Sequence, residues 1–77
     1  MESYEEELIQ RYLSNDHELR TLYDEHQTLK IQLEDFRRRQ YMTAAEEIEM
    51  KRVQKLKLAL KDRIMAILNR HQHEHVQ

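Results

Sequence analysis

Apolar residues recur every three or four positions along this chain, and the spacing is helical throughout. Leu19, Leu22, His26, Leu29, Leu33 and Phe36 step by 3, 4, 3, 4 and 3. That is the a/d seam of a heptad helix, with one histidine on it. Tyr23 sits beside the seam and widens it. Leu8 and Tyr12 fall in the same phase upstream, with Tyr4, Ile9 and Leu13 nearby. Further on, Val53, Leu56, Leu60, Ile64 and Ile67 make the inner stripe of another helix. Leu58 and Met65 lie well over about 90° round from the centre of that stripe, and Ile31 is similarly off the first seam.

Two polar interruptions divide this pattern. Ser14-Asn15-Asp16 carries side chains that compete for backbone hydrogen bonds, and Asn15 followed by Glu18 has capping-box-like spacing. The pattern predicts a short helix at about 3–13 and a long one at about 16–40. Arg37-Arg38-Arg39 closes the long helix, where cations favour the negative end of its dipole. After Tyr41-Met42, Thr43-Ala44-Ala45-Glu46 reads as a capping box that opens a last helix at about 44–70. The tail 71–77 is expected to fray.

One helix ends and the next begins within a few residues, which is the pattern of an αα-hairpin. Folded about residue 42, the hairpin sets Phe36 against Ile48, Leu29 against Leu56 and His26 against Leu60. Leu22 then meets Ile64 and Leu19 meets Ile67, and the paired positions sum to nearly 85 throughout.

Composition narrows the picture further. The 77 residues include no Gly, Pro, Cys or Trp. Lack of Gly and Pro removes the usual makers of hairpin loops and excludes an all-β fold, and it leaves no Gly-rich phosphate loop. Lack of Cys excludes disulfides, Cys-based zinc and thiol catalysis. The fold class is therefore all-α: one small domain, an antiparallel helical hairpin with a short N-terminal helix. Two helices alone bury little, and small domains without staples usually oligomerise. A homodimeric four-helix bundle is expected, with Ile31, Leu58 and Met65 as the oligomer interface. His26 on the seam is expected to fix register or partner choice, as a buried Asn does in coiled coils.

The net charge of −2 hides an asymmetry. Residues 1–36 carry ten acids against three bases, and residues 37–77 carry five acids against ten bases. The halves can therefore meet with opposite charge. The alternative is polyanion binding, RNA or DNA, through the basic last helix, with Arg37, Arg38, Arg39, Lys51, Arg52 and Lys55 as contacts. No aromatic residue interleaves these bases, so a stacking platform for single strands is not formed and nucleic acid is the less favoured partner.

His71 and His75 lie one helical turn apart near Glu74, a usable pair of metal ligands. A pair lacks the third and fourth ligand, and no metal or other cofactor is expected. Nothing in a two-helix hairpin would bury a carboxylate and tune it for acid–base work, so the chain is expected not to be an enzyme. The start Met1-Glu2-Ser3-Tyr4-Glu5-Glu6-Glu7 is acidic and polar, unlike a secretory signal. The longest apolar run, Ile64 to Leu68, is too short for a bilayer. A cytoplasmic protein with no membrane contact is expected. Its function is expected to be helix-mediated protein–protein interaction, with itself or with a protein partner the sequence does not identify.

The stretch Lys57-Leu58-Ala59-Leu60-Lys61-Asp62-Arg63-Ile64 resembles the Lys-Leu-x-Leu-Lys-Asp-x-Ile signature of the YdcH-like family of small bacterial helical proteins. Glu25-His26-Gln27-Thr28-Leu29 resembles that family's other mark, and the similarity covers about residues 15–70. Val53-Gln54, Leu56 and Arg63 depart from the usual pattern. The resemblance implies a helical hairpin and brings no established biochemical function with it.

Overall fold

The computed structural model describes residues 3–76, with the side chains described as far as Glu74. Three helices make up the fold: α1 (Ser3–Tyr12), α2 (His17–Arg38) and α3 (Ala44–Val76). Among the described residues there is no strand. The long dimension is 52 Å, about what a helix of 33 residues spans at 1.5 Å per residue. The fold is thus one long helix with two shorter ones laid against it.

Both connections form without any described residue at positive φ. At the first, Asp16 adopts extended backbone and its carboxylate accepts from the Leu19 N–H at 3.0 Å. The cap is therefore Asp16, not Asn15. The sequence offers three cap-prone residues in a row, and the choice follows tertiary contacts of Asp16 described below. At the second, Arg39 turns extended while its N–H still donates to the Phe36 carbonyl at 3.2 Å. The capping box then appears as expected. The Thr43 hydroxyl accepts from the Glu46 N–H at 3.1 Å, and the Glu46 carboxylate accepts from the Thr43 N–H at 3.0 Å.

The hairpin register also appears as expected. Arg39 pairs with Glu46 beside the turn, and Asp16 meets Arg70 and His71 at the far end. The positions in these pairs sum to between 85 and 87. The expected seam of α2 points inward: Leu19, Leu22, His26 and Leu33 are buried, and Leu29 and Phe36 half-buried.

The stripe of α3 needs correction at one place. Val53, Ile64 and Ile67 are buried and Leu60 is half-buried, but Leu56 is 42% exposed. The inward positions run 53, 57, 60, 64, 67 and 71, so half-buried Lys57 takes the seam step that Leu56 was expected to take. Leu56 lies about 60° to one side of this seam and Leu68 about 60° to the other. Leu68 is 0% exposed, because α1 covers its side of the hairpin. Among the described residues, nothing covers the Leu56 side. Ile48 is likewise exposed, and does not seal the turn against Phe36 as expected.

Helix α1 explains the other differences. Ile9, which sits merely near the seam phase in sequence, is 0% exposed, and Leu8 is buried beside it. Together with Leu19, Leu22, Ile64, Ile67 and Leu68 they form the core, and Met65 packs against it. Met65, expected at an oligomer interface, is half-buried against the core of the single chain. Helix α3 also continues to Val76 instead of ending near 70. Its last turns have tertiary partners: His71 stacks on Tyr12, and the Gln72 amide donates to the Tyr4 hydroxyl at 3.2 Å. Gln77, the end of the tail expected to fray, lies outside the described residues.

Candidate interaction surfaces

Three places on the hairpin gather polar or apolar side chains in a way the helices alone do not require. The first is the junction of α1, α2 and the end of α3. The Asp16 carboxylate caps α2 with one oxygen, and its other oxygen meets His71 Nε2 at 2.6 Å and Arg70 at 3.8 Å. The His71 ring lies on Tyr12, centroids 4.5 Å apart and nearly parallel. The Leu19 N–H, then the hydrogen bond from His71, hold the Asp16 carboxyl below its ordinary 3.8. This cluster ties both ends of the first connection to α3. Nearer its start, α1 is held by Tyr23, whose hydroxyl donates to Glu6, and by Lys61, 3.7 Å from Glu5. The Glu6 carboxylate, and then burial, push the Tyr23 phenol above its ordinary range.

The second place lies on the face of the hairpin that carries α1, beyond the point where α1 begins. An open groove of about 340 Å³ is lined by His26, Leu33, Arg37, Gln54, Lys57, Leu58 and Lys61. His26 is only 3% exposed, and its Nδ1 has no hydrogen-bond partner. Burial, then the positive charge of Lys57, hold its pKa below the ordinary 6.5, with Lys30 and Lys61 adding to the effect. The seam histidine is therefore a buried ring whose charged form is disfavoured. Leu58 is 63% exposed at the rim of this groove. Ile31, also expected at an oligomer interface, is 59% exposed on α2.

The third place is the opposite face. A groove of about 480 Å³ runs between α2 and α3, with Leu29, Leu56, Ala59 and Leu60 along it and Thr28 at its edge. Glu25 stands on its α2 wall and Arg63 on its α3 wall. The expected interface of Ile31, Leu58 and Met65 misses this groove. The sequence signal for it is Leu56 itself, whose spacing fits the inner stripe almost as well as that of Lys57 on the true seam.

The basic residues do not form one surface. Arg37 lines the groove beside His26. Arg38 lies 3.8 Å from Asp35, Arg39 pairs with Glu46, and Arg52 donates to Glu49 at 3.0 Å. Lys51 and Lys55 are exposed on α3. Among the described residues, no group of three or more His, Cys, Asp or Glu is placed to hold a metal ion. His71 is engaged with Asp16, His73 is exposed, and the side chain of His75 lies outside the described set. Among the described residues, no helix is long and apolar enough to cross a membrane. Compared with known proteins, the chain matches no family model, no curated protein and no solved structure, so the resemblance to the YdcH-like hairpins rests on the residues quoted for it.

Proposed function

We propose that this chain is a non-enzymatic, self-associating helical protein of the cytoplasm that acts through helix-mediated protein–protein contact. The observation that carries this reading is the uncovered apolar groove along Leu29, Leu56, Ala59 and Leu60. Covering such a strip removes apolar surface from water at about 25 cal/mol per Å². A chain this short gains more from that burial than a larger domain would. The groove is open and framed by two helices, a form that accepts another helix. The resemblance to the YdcH-like hairpins is compatible with this role and adds no catalytic one.

Polyanion binding has less support. Arg38, Arg39 and Arg52 each meet an acid on the same surface, which offsets the field a phosphate backbone would feel. Sedimentation equilibrium at micromolar concentration tests the reading. A mass above the 9.6 kDa of one chain is expected. A stable, well-folded monomer overturns it.

A further inference from the structure

The apolar groove is bordered by charges whose arrangement specifies its occupant. Glu18 and Glu25 lie seven residues apart on α2, and Arg63 and Arg70 lie seven residues apart on α3. A separation of seven returns a helix to nearly the same face, so each pair lies along one line. Both lines border the face that holds Leu29, Leu56 and Leu60. All four charged residues are exposed. Among the described residues, Glu18, Glu25 and Arg63 take part in no ion pair within the chain, while Arg70 touches Asp16 at 3.8 Å and remains 57% exposed. Glu25 on one wall of the groove therefore faces Arg63 on the other, and Glu18 and Arg70 continue the two lines beyond it at matching heights along the hairpin.

We propose that the occupant of this groove is a second copy of the chain, related by a two-fold axis that lies along the groove, parallel to the helices. The proposal rests on the self-association reading above and assigns its interface. Such an axis sets α2 of each copy against α3 of the other, antiparallel, which is a four-helix bundle. Height along the hairpin is preserved by the rotation. Leu29 of each copy then lies opposite Leu56 of the other. Glu25 comes level with Arg63 to within about 4 Å along the axis at 1.5 Å rise per residue, and Glu18 comes similarly close to Arg70. A wall of one sign would repel its own copy under this operation. An acidic wall facing a basic wall is complementary to itself. The same pairing places Leu58 and Ile31 outside the interface, Leu58 at the rim of the His26 groove and Ile31 in solvent.

Charge exchange tests this geometry in the full-length chain. The variant Glu25→Arg sets Arg against Arg63 of its mate, and the variant Arg63→Glu sets Glu25 against Glu. Each alone is expected to dimerise at least about tenfold more weakly than the parent chain. Mixed in equal amounts, the two are expected to recover a heterodimer, because both contacts regain opposite signs. Circular dichroism reports whether each variant remains helical, and Leu56→Ser offers a second variant at a solvent-exposed position, with the same expected loss. A monomeric parent chain overturns both self-association and this interface. A dimeric parent whose variants dimerise unchanged, or whose charge variants weaken without recovery on mixing, overturns the interface and leaves self-association standing.

Discussion

The two ends of the hairpin are built from the same two helices and differ in what covers them. At the end where α2 begins, three helices meet. Leu8 and Ile9 of α1 complete a core with Leu19, Leu22, Ile64, Ile67 and Leu68, four of them wholly without exposure. At the turn end there are only two helices. Leu33 and Val53 are buried there, but Phe36 is half-buried and Ile48 and Tyr41 stand in solvent. The comparison shows what a third helix contributes. A helical pair buries one stripe per helix, and residues about 60° off that stripe stay wet unless something lies on them. Leu68 and Leu56 are equally far from the α3 seam, and α1 alone separates their fates.

Substitution within the three-helix core should have the largest effect. Ile64→Ala or Ile9→Ala deletes a fully buried side chain, and such changes typically cost about 2–5 kcal/mol. For a chain of this size that is a large share of total stability. Thermal melts followed by circular dichroism should show marked loss with either variant, and little change with Leu56→Ala at concentrations where the chain is monomeric. Equal losses at positions 64 and 56 would erase the distinction between the covered and uncovered sides.

Between the two ends sits His26, and its effect depends on pH. Its pKa in the folded chain is depressed below 6.5. Above about pH 6.5 the ring is neutral whether the chain is folded or not, and no stability is lost. As pH falls below that value the unfolded chain takes up a proton before the folded one does. Stability should then decline, by at most about 1.4 kcal/mol per pH unit, until the folded value is reached. Lys57 and Lys61 on α3 and Lys30 on α2 face the ring with like charge and strengthen the trend. Replacing His26 by Leu should flatten this part of the stability profile. A profile that keeps its slope after the replacement would show that another group is responsible.

The cap at the covered end comes next. Asp16→Ala removes the acceptor for the Leu19 N–H and releases His71, and loss of such a cap costs about 1 kcal/mol. Because the Asp16 pKa is lowered in the fold, its contribution is present above the ordinary carboxylate value of 3.8 and lost as pH falls below it. The melting temperature should therefore drop at pH 7, and the gap between variant and parent should narrow in acid. The smallest effect belongs to the exposed pair near the turn. Arg52→Ala, which removes the partner of Glu49, should leave the melting temperature unchanged, since solvent and salt screen such a pair.

Much of the fold was legible along the chain. Heptad spacing from Leu19 to Phe36, the Thr43–Glu46 capping box and the polar break at 14–16 predict three helices and an antiparallel hairpin. The structure keeps that register to within two residues. Candidate surfaces were less legible. Ile31, Leu58 and Met65 share only an off-stripe position in the sequence, and the structure separates them: Met65 packs half-buried against the core, Leu58 lies at the His26 groove and Ile31 in solvent.

What the sequence determined by itself is local and periodic. Helix phase, caps and the pairing of opposite charges near the turn depend on residues within a turn or two of each other, or on one antiparallel register. What only the tertiary structure decided is where α1 lies. Its ten residues carry too little apolar surface to announce which side of the hairpin they will cover, yet that choice buries Ile9 and Leu68 and holds α3 helical through His71. It also leaves the Leu56 side open. Burial depends on what lies across a face in space, and a linear pattern records only that the face is apolar.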